Sequence, residues 1–231
     1  MSKHFILSTI ILATSIFVAN GISAQKHYQS NITVGGKAGV TLSKVNFSPS
    51  VKQGWNMGET AGITFRYMEE KHFGLILEAN ITRAGWKENF ENTDFNYQRT
   101  LTYLQVPILT HIYFGSNKMR GFVNLGPQLG YYLGESISSN FDYRNVENVE
   151  GFPIQNRYLD QLTLGVKSKF DYGLAFGTGA EFIANRKHSF TLEARLYYGL
   201  GNVFPSNKKD TFSASSNMTL YVTLGYAFRI K

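Results

Sequence analysis

The stretch Ser189-Phe190-Thr191-Leu192-Glu193-Ala194-Arg195-Leu196-Tyr197-Tyr198-Gly199-Leu200-Gly201 decides the fold. Phe190, Leu192, Ala194, Leu196, Tyr198 and Leu200 fall on one face, and Thr191, Glu193, Arg195 and Tyr197 on the other. A period of two sustained this long describes a strand with one apolar and one polar side. A strand of a membrane barrel needs about nine to eleven residues, whereas the mean strand of a soluble protein has about five to six.

The same pattern recurs outward from this segment. Ile32 to Lys44, Gly58 to Met68, Phe73 to Trp86, Tyr97 to Gly115, Gly121 to Gly134, Lys169 to Ala184 and Met218 to Ile230 all alternate. With Ser189 to Gly201 they make about eight segments, the smallest size of a membrane barrel. Tight polar turns at Glu69-Glu70-Lys71-His72, Ser116-Asn117-Lys118-Met119 and Asn185-Arg186-Lys187-His188 take turns with longer links. The longer links are Val45 to Met57, Lys87 to Asn96, Glu135 to Ser168 and Asn202 to Asn217. Such sorting is expected of an outer-membrane barrel with short periplasmic turns and long extracellular loops, and not of a β-sandwich. The fold expected is therefore all-β: an eight-stranded antiparallel transmembrane β-barrel in the cell outer membrane.

Composition agrees with this reading. The 231 residues include 14 Tyr, 18 Phe and 22 Gly but only 5 Pro, which favours sheet. A mean hydropathy of −0.19 is far too polar for a helical bundle, yet suits strands that alternate. The net charge is +7, but the positive residues are scattered, which argues against a nucleic-acid partner. The absence of cysteine excludes disulfides, thiolate metal sites, cysteine nucleophiles and a lipidated N-terminal Cys.

Residues 1–24 read as a signal peptide. Lys3 and His4 form a short positive region, Phe5 to Val18 an apolar one, and Ile22-Ser23-Ala24 offers a cleavage site. The barrel domain is then 25–231.

By parity the polar face points into the lumen. It carries Lys37, Arg66, Arg195 and Arg229 together with Glu78, Asp171, Glu181 and Glu193. An eight-stranded barrel leaves an interior just wide enough for side chains. These eight charges are therefore expected to neutralise one another as a structural network in a closed lumen, because an unpaired buried charge is costly. Trp55, Trp86, Tyr97, Phe114, Tyr131, Tyr132, Tyr197, Tyr198, Phe204 and Phe228 sit near strand ends, where interfacial girdles are expected. Tyr226-Ala227-Phe228-Arg229-Ile230-Lys231 resembles the C-terminal strand signal read by the outer-membrane assembly machinery, although it ends in Lys231 rather than an aromatic.

Several phrases in order resemble the PorT-like outer-membrane β-barrel family. They include Gly36-Lys37-Ala38-Gly39-Val40-Thr41-Leu42-Ser43, Leu77-Glu78-Ala79 and Tyr103-Leu104-Gln105-Val106-Pro107-Ile108-Leu109. Further along come Gly126-Pro127-Gln128-Leu129-Gly130-Tyr131, Phe170-Asp171-Tyr172-Gly173 and Leu224-Gly225-Tyr226-Ala227-Phe228. The resemblance covers the mature chain and implies an eight-stranded outer-membrane barrel. Some members are tied to protein export, and no catalytic motif carries over.

No catalytic, cofactor or metal site is assigned. Of His27, His72, His111 and His188, only His111 lies within a strand, where parity turns it inward beside Tyr113. Gly177-Thr178-Gly179 sits within a strand, not before a helix, so it is no phosphate cradle. The expectation is a non-enzymatic structural or interaction barrel, surrounded by outer-membrane lipid. Its extracellular loops, above all Glu135 to Ser168 with Phe141, Tyr143, Phe152 and Tyr158, would meet protein partners in export or surface assembly. A small-solute channel and a rim enzyme are the alternatives.

Overall fold

The computed structural model describes residues 30–68, 72–91, 93–155 and 157–230. The signal-peptide reading of residues 1–24, most of the turn at 69–72 and the terminal Lys231 lie outside the described residues. Nine strands follow in chain order: β1 (Asn31–Ser48), β2 (Gln53–Gly54), β3 (Asn56–Met68), β4 (Phe73–Glu88), β5 (Tyr97–Gly115), β6 (Met119–Ser139), β7 (Phe170–Ala184), β8 (His188–Gly199) and β9 (Ala214–Arg229). Two short helical turns lie in the link between β6 and β7, a 3-10 turn at Val146–Asn148 and an α-helical turn, α1 (Asp160–Thr163).

All strand pairings are antiparallel. β1 pairs with both β3 and β9, and β4 with β5, so the sheet closes into a ring without free edges. The two-residue β2 pairs only with the end of β4, which leaves eight barrel strands. Closure satisfies every ladder within the wall, as strands crossing lipid require. Among the described residues no helix is long and apolar enough to cross a membrane.

The outward side chains form an apolar band. Val40, Ile63, Leu77, Leu104, Ile108, Leu125, Leu174, Phe176, Leu192, Leu196, Val222 and Leu224 are all exposed on the outer wall. On β4 the band runs from Phe73 through Leu75 and Leu77 to Ile81. The next outward residue, Arg83, pairs with Glu59 at 3.0 Å, marking the edge of the lipid layer. Strands β1, β5 and β6 have 18, 19 and 21 residues, longer than a span requires. They overshoot the membrane at the long-loop end.

Above the band the inward stripe changes character. On β1 it runs Lys37, Thr41 and Ser43, then Val45 and Phe47; on β4 it runs Glu78, Asn80 and Thr82, then Ala84 and Trp86. The apolar part joins Phe90, Tyr97, Leu101, Tyr103, Phe152, Leu162, Val203, Phe204 and Phe212 in a core cluster, with Phe141 and Tyr143 packed against it. This cluster closes the extracellular mouth. The strand extensions shorten all four expected long links: β1 continues to Ser48, β4 to Glu88 and β6 to Ser139, and β9 already begins at Ala214. The girdle assignment is corrected for five aromatics, one of them Tyr132, which packs half-buried against the core cluster. Trp86, Tyr97, Tyr197 and Phe204 are buried inside, whereas Trp55, Phe114, Tyr131, Tyr198 and Phe228 face outward.

Candidate functional site: the lumen and its two mouths

The lumen is crossed by bonds between strands that stand opposite each other in the ring. Arg195 on β8 donates from Nη1 and Nη2 to the two oxygens of Glu78 on β4, both at 2.8 Å. In an eight-strand ring β4 and β8 are four strands apart in either direction. Arg66 on β3 donates to Glu181 on β7 at 2.7 Å, again across the full width. Tyr221 on β9 donates to Gln105 on β5 at 2.9 Å, likewise between opposite strands.

Around Glu78 the network is dense. Lys37 Nζ lies 2.7 Å from Glu78 and 3.6 Å from Glu193, and Arg195 also holds Glu193 at 2.9 Å. Lys37 stands in register with Gly62 on one side and Gly225 on the other, so its long side chain meets no side-chain neighbour in the wall. Gly177 serves Glu193 in the same way: a Cβ there would sit 2.5 Å from Glu193 Oε1. Asn124 donates to Glu193 at 2.8 Å, and its Oδ1 lies 2.7 Å from His111 Nδ1. The free space left among Lys37, Arg66, Glu78, His111 and Glu193 is about 40 Å³, enough for about three waters.

The eight charges read from the sequence thus divide. Lys37, Arg66 and Arg195 meet Glu78, Glu181 and Glu193 in ion pairs. Asp171 has no ion-pair partner among the described residues; it accepts from Asn217 at 2.9 Å. Arg229 also stays outside the network and lines the periplasmic mouth.

At the extracellular mouth the link between β6 and β7 folds inward. Arg99 on β5 holds Glu135 with two bonds of 2.9 Å and donates to the Leu164 carbonyl at 2.7 Å. Tyr97 Oη donates to the Leu162 carbonyl at 2.8 Å. Both side chains therefore take orphan carbonyls around the end of the short helix α1. Beside them Gln161 donates to Glu88 at 3.1 Å, and Arg157 Nη1 stands 3.6 Å from Glu88. Glu88 lies well beyond the lipid band. Burial outweighs the help of Gln161 and Arg157 and pushes its carboxyl up to about 7.

These features are those of a small membrane barrel with a filled lumen, and the sequence profile of the outer membrane protein beta-barrel domain family matches residues 23–205. The chain belongs to that family. It resides in the outer membrane. Among solved structures this outer-membrane barrel is similar to the outer membrane protein OprG from Pseudomonas aeruginosa, with 14% identity and a TM-score of 0.51. That match covers 90% of this chain and 99% of OprG. Neisserial surface protein A is also similar, with 14% identity and a TM-score of 0.49, covering 87% of this chain and 99% of that one. At such identity the likeness concerns the fold. No curated protein sequence matches the chain.

Several inward polar residues of the barrel escaped the sequence reading: Arg99, Glu88, Arg120, Gln161 and Arg157. Arg99 was within reach, since it continues the inward parity of Tyr103 and Leu101 along β5. Gln161 and Arg157 belong to an irregular link, where no period marks the inward side.

Proposed function

We propose that this protein is a closed, non-enzymatic barrel that acts as a structural or interaction element of the outer membrane, supporting protein export or surface assembly. The observation that carries the reading is the diametric Arg195–Glu78 and Arg66–Glu181 bonding across the lumen, beneath an extracellular mouth filled by the core cluster. A conducting path would require both layers to part. The family consists mostly of non-enzymatic barrels, and the PorT-like phrases of the sequence supply the link to export. Cleavage after a signal peptide of residues 1–24, and recognition of the last strand by the assembly machinery, belong to the same reading.

Phe141, Tyr143 and Phe152 pack into the cap, so partners would meet the outer rim of the loop, where Ile154 and Tyr158 are exposed. Single-channel recording in planar bilayers tests the closed lumen. No stable open state is expected; a reproducible one would overturn the reading in favour of a small-solute channel. A pull-down from outer membranes, comparing the intact protein with one lacking residues 140–169, tests the loop. Partners should be lost with the loop while heat-modifiable gel mobility remains.

A further inference from the structure

Cations that the lumen pairs do not consume collect at the periplasmic mouth. Arg120 of β6, Arg229 of β9, and Arg186 and Lys187 of the β7–β8 turn line a narrow funnel with about 20 Å³ of free space, and Arg186 and Lys187 are exposed at its lip. Among the described residues none of these four has an ion-pair partner. Arg120 has only a 3.4 Å bond to the Ser116 carbonyl and the face of Tyr113 at 4.4 Å. The one carboxylate of the funnel, Glu181, is held by Arg66 at 2.7 Å. Arg66 itself is buried, and its Nε finds no partner. Higher in the lumen two cations, Lys37 and Arg195, meet two carboxylates, Glu78 and Glu193; here, among the described residues, the balance is broken in one direction only.

The backbone also departs from its easy course to bring a guanidinium here. Lys187 N bonds to the Ala184 carbonyl, closing a turn whose central residues Asn185 and Arg186 have φ of 49° and 59°. Asparagine tolerates that region. At the second position glycine is the relaxed choice, and a long side chain is strained. Four like charges also repel one another over the roughly 8 Å at which physiological salt screens them.

We propose that the periplasmic mouth is a binding site for a phosphate-class anion. Guanidinium forks suit the paired oxygens of such a group, and several cations together favour a multiply charged one. Arg66, Arg120 and Arg229 stand on the inward stripe of their strands, and Arg186 and Lys187 are exposed beside them, so the anion is met at the lip of the funnel rather than on the lipid wall. The source favoured is therefore a soluble periplasmic molecule, not a lipid headgroup. The Arg66–Glu181 pair and the Glu78 network close the lumen above the site, so the anion docks there and does not pass. This inference stands whether or not the loops engage partners.

The test uses the full-length protein in phosphatidylcholine nanodiscs, titrated with inorganic pyrophosphate by calorimetry. Saturable binding is expected, weakened about tenfold or more in the Arg186→Gly/Lys187→Ser variant, since each charge-assisted contact is worth that much. Arg186→Gly relaxes the turn, so lost binding cannot be ascribed to a lost fold, and heat-modifiable mobility checks this. A second arm replaces part of the lipid with phosphatidylglycerol. Unchanged pyrophosphate affinity places the source in solution. Competition by the lipid would overturn that assignment. Absence of saturable binding to the wild type would overturn the site. So would equal affinity in the Arg186→Gly/Lys187→Ser and Arg229→Gln variants.

Discussion

Arg195 and Glu78 face each other from diametrically opposite strands and join through two hydrogen bonds of 2.8 Å. Both are buried, and Glu78 also receives Lys37 at 2.7 Å. Such a pair adds little over an apolar filling of equal volume, but leaving one member alone in the lumen is expensive. The pair therefore fixes the width and registration of the barrel more than it adds to stability.

Substitutions at the two residues should not be additive. Arg195→Leu leaves Glu78 and Glu193 with only Lys37 between them and should cost about 3–5 kcal/mol. Glu78→Leu leaves Arg195 and Lys37 around Glu193 and should cost about as much. The double variant Glu78→Leu/Arg195→Leu retains Lys37 and Glu193, 3.6 Å apart, and should cost clearly less than the sum. Urea unfolding in lipid vesicles measures all three, and simple additivity would show that the two residues do not act as a unit.

Glu88 makes the extracellular cap respond to pH. Its carboxyl titrates near 7 in the folded protein, against 4.5 when solvated. A raised acid binds its proton more tightly in the fold than in the unfolded chain. Its contribution is therefore complete below about pH 4.5 and is lost as pH rises through about 7, with an upper bound of about 3 kcal/mol. The groups facing it are Arg157 and Gln161 from the folded-in link and Trp86 and Tyr97 from the wall. Trp86 is fully buried while Trp55 is 49% exposed, so a Trp55→Phe background isolates the cap. Acrylamide quenching of Trp86 should increase between about pH 5 and about pH 8. A Glu88→Gln variant should abolish that dependence; a slope that persists in it would assign the effect elsewhere.

The same two residues, Glu88 and Trp86, show where sequence reading of this fold stops. Within the bilayer the rule is simple, because lipid demands an apolar exterior and a polar lumen is what remains. Period two then places Lys37, Glu78, Glu181, Glu193 and Arg195 inward, and the alternation of short and long links gives strand order and sidedness. Above the lipid the demand reverses. The exterior meets water, and the inward positions of the same strands, Val45, Phe47, Trp86 and Leu101, become the apolar ones. Parity is kept through this change, but polarity is not, so aromatics such as Trp86 and Tyr97 read as girdle residues when they fill the cap. Asp171 and Arg229 fail as network members for another reason. Parity states which way a side chain points, not the height at which it meets a partner. The inward folding of 140–169 rests on carbonyl contacts from Arg99 and Tyr97, which leave no pattern in the sequence.

The lipid-facing side of the assignment can be tested at Leu224. It is 68% exposed on the outer wall, in register with Ala38 of β1 and Leu192 of β8, and lies midway along the outward apolar run from Val222 to Phe228. In water such exposure of a leucine between two apolar neighbours would have no purpose; in lipid it is the natural environment. Leu224→Arg should therefore cost about 2–4 kcal/mol when unfolding is measured in bilayers, the penalty for a cation near the membrane midplane. Ile154 provides the comparison, being 45% exposed in the extracellular link, where an arginine meets water and its introduction should change stability by no more than about 0.5 kcal/mol. Equal costs at the two positions would mean that Leu224 does not face lipid, and the outward apolar band would need another explanation.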